Sequence, residues 1–231
     1  MKNVLITGAS QNIGRSIAIN MAREGCNIAI CARNKEKLND VVLKMKQYSG
    51  EYHSINIDLR SEKGPAQLIK ELGLKNFIPD IVIHNLGGSL QITNQDFSRE
   101  ELADVWQFNI GIAHEINKEL IPNMIQHKWG RIIHVSSLSA KTAKGYVPYV
   151  SAKFALEGYV KAMSKLLSSK NIIYSPTPTT RLDYTVSGLV LYPKNKKTEI
   201  SLFKLMADRK IFKCYEAKMR PHTNAPKITH C

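Results

Sequence analysis

The amino-acid sequence predicts an α/β fold: one domain with a doubly wound parallel sheet and helices on both faces. Three observations predict it. Short apolar runs alternate with amphipathic stretches along most of the chain, the order of repeated strand–helix units. The early runs are apolar without alternation, as strands buried on both faces are. The first run stops at a glycine-bearing turn, Thr7-Gly8-Ala9-Ser10-Gln11-Asn12-Ile13-Gly14-Arg15, that opens a helix. A length of 231 residues and a hydrophobic content of 43% suit one domain of this class.

The elements follow in order. Lys2–Thr7 is a first strand. A helix then places Ile13, Ile17, Ala18, Met21 and Ala22 on one side and stops at Glu24-Gly25. Asn27–Ala32 is a second strand. Lys35–Tyr48 is a helix with Leu38, Val41, Val42 and Met45 inward. His53–Ile57 is a third strand, Ala66–Leu74 a short helix, and Pro79–Ile83 a fourth strand. Ser98 caps the next helix. Leu102, Val105, Trp106, Ile110, Ala113 and Ile116 keep helical period there, and the region runs past Pro122 to Gln126. Gly130 precedes a fifth strand, Arg131–Val135, and Val147–Ser168 is a long helix. Asn171–Thr180 and Val186–Tyr192 are candidate sixth and seventh strands, and Leu202–Ala207 is a helical stretch.

Strand, glycine turn, helix, strand is the unit that seats a pyrophosphate at a helix N-terminus. Glycine lets the backbone approach the phosphates, and Asn12 tolerates left-handed angles better than most residues. Tyr149 and Lys153 are four apart, so a helix stacks them on one face. An ammonium beside a phenol lowers a pKa of about 10 and prepares the hydroxyl to pass a proton. A parallel sheet binds ligands at the carboxyl ends of its strands, where Gly8, Asn85 and Ser137 fall.

These signals together resemble the short-chain dehydrogenase/reductase family. Its cofactor motif TGxxxGxG matches Thr7–Gly14, with Asn12 for the middle glycine. Its adenine-bordering Asp matches Asp58, followed by Leu59, and its NNAG segment matches His84-Asn85-Leu86-Gly87 at two of four positions. Its active-site Asn matches Asn109, its Ser-Ser pair matches Ser136-Ser137, and Tyr149 and Lys153 complete the set. The resemblance implies a Rossmann-like fold and hydride transfer between a nicotinamide and a carbonyl or alcohol carbon. It assigns catalysis to Asn109, Ser137, Tyr149 and Lys153, with Ser136 the next choice to Ser137. Ser137 would hold the substrate oxygen, Lys153 the nicotinamide ribose, and Asn109 a water linking that lysine to solvent. Cofactor binding would fall to Thr7, Gly8, Ser10, Asn12, Ile13, Gly14, Arg15, Arg33, Asp58, Leu59, Asn85 and Gly87, with Tyr149 and Lys153. Cys31-Ala32-Arg33-Asn34, at the end of the second strand, holds no acidic residue. Arg33 there, with Arg15 from the glycine turn, suits a 2′-phosphate, so NADPH is expected over NAD. Pairing of the two long helices in the family implies a homodimer or homotetramer.

Net charge is +14, and the segment 171–231 carries eleven Lys and Arg against four Asp and Glu, half of it. Basic and aromatic residues do not interleave as base-stacking surfaces do, so a solvated surface is expected and no nucleic-acid partner. Cys26, Cys31, Cys214 and Cys231 show no metal-ligand or pairing pattern, and Cys26 and Cys31 read as small buried residues. With no signal peptide or membrane-spanning run expected, the reading is a cytoplasmic protein. Residues 1–193 form the nucleotide domain and 194–231 a basic, divergent and loosely held segment. That divergence supplies a second reading, a dinucleotide-binding protein with little or no turnover.

Overall fold

The computed structural model describes residues 1–168. Within them lie β1 (Asn3–Thr7), α1 (Asn12–Arg23), β2 (Asn27–Ala32), α2 (Lys35–Met45) and β3 (Tyr52–Asn56). Then come α3 (Gly64–Leu74), β4 (Ile81–His84), α4 (Arg99–Trp106), a π-helical turn at Gln107–Gly111 and α5 (Ile112–Gln126). β5 (Arg131–His134), α6 (Ser139–Thr142) and α7 (Val147–Ser168) complete the set. The strands expected at 171–180 and 186–192, the helical stretch at 202–207, the segment 194–231, and Cys214 and Cys231 lie outside the described residues.

All described strand pairs are parallel, in the order β3-β2-β1-β4-β5. Side-chain alternation sends each strand's residues to two cores. On one face Val4, Ile6, Ile28 and Ile30 pack with Ala18, Ala22, Leu38, Val41 and Met45 of α1 and α2. On the other, Leu5, Ala29, Val82 and Ile132 pack with Leu68, Leu72, Ile112, Ile116 and Leu120 of α3 and α5. Each of the Val, Leu, Ile and Met side chains among them contributes about 1.5–3 kcal/mol when fully buried. The doubly wound sheet with helices on both faces is as the sequence predicts.

Boundaries shift by one to three residues. β3 starts one residue early and β4 two residues late, while α2 ends at Met45. α3 begins at Gly64 because Pro65 suits a first helical turn. Ser98 caps α4 as expected, in a reciprocal pair with Glu101: Oγ accepts from the Glu101 N–H at 3.1 Å, and the Ser98 N–H donates to Oε2 at 2.7 Å.

One expectation is corrected. The sequence groups Ile13 with Ile17, Ala18, Met21 and Ala22 on one apolar side of α1, but Ile13 is 59% exposed. The helix instead buries Gly14, Ala18 and Ala22. These small residues, four apart, let the helix axis come close to the sheet, and this turns Ile13 outward. Two elements were not foreseen. The π-helical turn has no signal in a hydrophobic period, and α6 is too short to establish one.

Candidate functional site

The carboxyl ends of β1, β2, β4 and β5 converge on one edge, and the turns leaving them build a cleft. Gly8 has φ +64° and donates its N–H to the Cys31 carbonyl at 2.9 Å. That bond ties the turn to the end of β2. Asn12 has φ 49°, the left-handed backbone its side chain tolerates. A Cβ at Gly14 would lie 2.6 Å from the Gly8 carbonyl oxygen and 2.9 Å from the Ala9 Cα. Thr7 joins two strands: its Oγ1 accepts the N–H groups of Asn85 (3.1 Å) and Leu86 (3.2 Å). Asn85 returns the contact, its Nδ2 donating to the carbonyls of Thr7 (3.2 Å) and Gly8 (2.9 Å). No side chain caps α1, and its first turn holds no acid, so its leading N–H groups face the turn free for an anion.

Of the expected cofactor residues, Gly8, Ser10, Arg33, Asp58, Leu59 and Gly87 line the cleft. Thr7, Asn12, Gly14 and Asn85 build its rim and support. Arg15 is turned toward Asp40 of α2, 3.8 Å away. Gln11, Asn34, Lys37, Arg60 and Phe108 also line the cleft; sequence reading missed them because none is a residue type that the motifs specify, Gln11 falling at an unspecified position of the glycine turn. Burial pushes the Asp58 carboxyl up. Hydrogen bonds from Arg60, with the charges of Arg60 and Arg33, reverse this and leave it below its ordinary value.

Two of the expected catalytic residues, Asn109 and Lys153, stand beside Gly87, which lines the cleft. Lys153 on α7 is 4% exposed. Its Nζ donates to the Val135 carbonyl at 3.1 Å and stands 5.7 Å from the Tyr149 ring centre. A Cβ at Gly87 would lie 3.0 Å from that Nζ and 2.7 Å from Asn109 Oδ1, so only glycine fits there without displacing them. Asn109 is buried in the π-helical turn. Its Oδ1 accepts the Gly88 N–H at 3.1 Å, and its Nδ2 donates to the carbonyls of Gly88 and Val105, each at 2.8 Å. These bonds fix the Gly87–Gly88 turn beside the lysine. Ser137 is partly buried, and its Oγ accepts the Ser139 N–H at 3.1 Å. Ser136 is exposed and donates to Glu157 Oε1 at 3.3 Å, so the two hydroxyls have different surroundings.

Two histidines the sequence reading did not use lie at the ends of β4 and β5, paired in register. The rings of His84 and His134 stack with centroids 4.7 Å apart, and His84 Nε2 meets Asn117 Oδ1 at 2.8 Å. Burial, against the Asn117 hydrogen bond, lowers His84 to about 4. Burial first, then the charges of His84 and Lys153, lowers His134 to about 2. Both are neutral at neutral pH.

Burial alone lowers Lys153 to about 8 from 10.5. The depressed folded value means that the cost of burying the charge is fully present below pH 8. It is relieved between 8 and 10.5, where the folded protein sheds a proton that the unfolded chain keeps. Lys153→Met removes this relief. The melting-temperature difference between variant and wild type therefore changes in favour of wild type across that window. A difference independent of pH in thermal melts would contradict the assignment.

Fold and cleft together define a doubly wound α/β protein with a glycine-lined cleft at the carboxyl edge of its sheet. Residues 2–179 match the family model of the short chain dehydrogenases, and the chain belongs to that family. It is 31% identical over 162 residues to an uncharacterized oxidoreductase of Mycobacterium tuberculosis, covering 69% of this chain and 62% of that protein. It is 28% identical over 167 residues to an NADPH-dependent pterin aldehyde reductase of Arabidopsis thaliana, covering 71% of this chain and 68% of that one. Among solved structures, an NAD+-bound xylitol dehydrogenase superposes with a TM-score of 0.68 at 26% identity, over 76% of this chain and 69% of that one. The chain thus matches under two thirds of the mycobacterial relative. Among the described residues no helix is long and apolar enough to cross a membrane, and no group of three or more His, Cys, Asp or Glu residues could hold a metal ion.

Proposed function

We propose that this protein is an NADP-dependent oxidoreductase acting on a small-molecule carbonyl or alcohol. The observation that carries it is the buried Lys153, held against Val135 and set over the Tyr149 ring beside Gly87 and Asn109. The glycine cradle and the uncapped α1 fit a dinucleotide pyrophosphate, and a bound nicotinamide would supply or accept the hydride. Tyr149 gives a proton to the substrate oxygen in reduction and takes it back in oxidation. Ser137 donates a hydrogen bond that holds this oxygen near the phenol. Lys153 would hold the nicotinamide ribose. Asn109 keeps the Gly87–Gly88 turn in place. The test is NADPH consumption with a panel of aldehydes and ketones, and NADP+ reduction with the matching alcohols. Turnover on a panel member supports the reading. Tight NADPH binding without turnover on any would favour the binding-only alternative.

NADPH is expected to bind more tightly than NADH, because Arg33 lines the cleft and no acidic residue stands in Cys31-Ala32-Arg33-Asn34 at the end of β2. Arg33→Ala should weaken NADPH by about 1–3 kcal/mol and leave NADH nearly unchanged. Fluorescence titration of both cofactors measures this. Equal affinities in wild type would overturn the preference.

A homodimer or homotetramer is part of the same proposal. Trp106 of α4, with Val147 and Phe154 of α7, is exposed at 43%, 60% and 47%. Trp106 Nε1 donates to Ser151 Oγ at 3.1 Å, which ties α4 to α7 beside these exposed apolar side chains. Light scattering at micromolar concentration should give a multiple of the 26.0 kDa chain mass, and a clean monomer would refute it. Cys26 and Cys31 are free and buried, which suits the reducing, cytoplasmic setting proposed here.

A further inference from the structure

We propose that Lys37 is a specificity-determining residue that grips the cofactor's 2′-phosphate together with Arg33. The inference rests on reading the cleft as an NADP site, and it names a residue outside every motif.

Three cationic side chains from the segments that follow β2 and β3 line the cleft: Arg33, Lys37 and Arg60. Arg60 is engaged, since its Nη2 pairs with Asp58 Oδ2 at 3.3 Å and its N–H donates to Oδ1 at 3.0 Å. Lys37 makes no ion pair among the described residues. Its Nζ donates to the neutral Gln11 Oε1 at 2.8 Å. That bond links the first turn of α2 to the glycine turn across the mouth of the cleft. Arg33 makes no ion pair among the described residues either. Arg15, the other basic residue expected at the phosphate, does not line the cleft and faces Asp40 instead.

The positions of the two free cations are set by their neighbours. Asn34 caps α2 by accepting the Lys37 N–H at 2.7 Å. Asn56 Nδ2 donates to the carbonyls of Arg33 (2.8 Å) and Ala32 (3.3 Å). The backbone at both residues is therefore held before any ligand arrives. Lysine carries a compact, rotatable ammonium. Exchanging an amide oxygen for a phosphate oxygen replaces a neutral acceptor with a charged one, and charge-assisted bonds are the stronger. NADH offers no such group, so with NADH the ammonium keeps its bond to Gln11. Lys37 thus adds affinity for the phosphorylated cofactor alone.

The test is calorimetric titration of the full chain with NADPH and with NADH, for wild type, Lys37→Gln and Arg15→Gln. Lys37→Gln should weaken NADPH about tenfold and leave NADH within about twofold, as the loss of one charged contact requires. Arg15→Gln should change NADPH less than Lys37→Gln does. The Lys37 effect should shrink as salt is raised. Unchanged NADPH affinity in Lys37→Gln, or an equal loss for both cofactors, overturns the role of Lys37. Thermal melting of Lys37→Gln close to wild type excludes a folding defect as the cause of any loss. Wild type that fails to prefer NADPH instead overturns the NADP reading itself, a separate outcome.

Discussion

Tyr149→Phe should lower kcat by about 10²- to 10⁴-fold, the contribution expected of one positioned acid or base, while NADPH binds nearly as before. The substitution removes one hydroxyl and keeps the ring that stands 5.7 Å from Lys153 Nζ. The lysine's hydrogen bond to Val135 does not involve the phenol, so Lys153 stays in place. At about 1.4 kcal/mol for each factor of ten, the loss is about 3–5 kcal/mol in the barrier. Steady-state rates measured beside a cofactor titration separate the two effects. Substantial residual turnover would mean that another group is the acid. Loss of NADPH binding would mean that the phenol belongs to the cofactor site more than to the chemistry.

Gly14→Ala should destabilise the fold and weaken dinucleotide binding together. The added Cβ meets Asn85 Nδ2 at 2.5 Å, the Gly8 carbonyl oxygen at 2.6 Å and the Ala9 Cα at 2.9 Å. Two of these are backbone atoms of the glycine turn, which cannot swing away as a long side chain can. Relief requires α1 to lift from β1 or the turn to open, and either moves the N–H groups that would hold the pyrophosphate. Overpacking of this kind costs about 1–3 kcal/mol, a fall in melting temperature of roughly 2–12 °C for a domain of this size. Gly73→Ala is the contrast. A Cβ there meets nothing within 4 Å, and near the end of α3 the change should stabilise by about 0.5–1 kcal/mol. Thermal melts of both variants decide it. A Gly14→Ala protein as stable as wild type and equally tight for NADPH would remove the close-approach account of that glycine.

How much was legible varied with the physics of each element. The buried strands were readable because a strand covered on both faces must be apolar throughout. Asn12 was readable as a stand-in for glycine because few other residues accept its φ of 49°. The α7 helix spans Val147–Ser168, as the sequence predicts, and Leu156 and Leu167 among its apolar residues are buried. The side of α1 was misjudged at Ile13. Hydrophobicity favoured the isoleucine row, whereas close approach of helix and strand required the row of small residues at Gly14, Ala18 and Ala22.

From the sequence alone came the alternation of strands and helices, the glycine turn, the Tyr149–Lys153 pair and the family they resemble. Those features are local: they depend on backbone angles, on side-chain period and on spacing within one element. Only the tertiary structure decided which side chains share the cleft. It brought Gly87, Asn109 and Lys153 from three elements within contact, stacked His84 on His134 through the β4–β5 register, turned Arg15 toward Asp40, and set Lys37 across the mouth on Gln11. The reason is that strand order and helix docking determine contacts between residues far apart in the chain. A sequence pattern records the period of each element but not the angle at which its neighbours meet it.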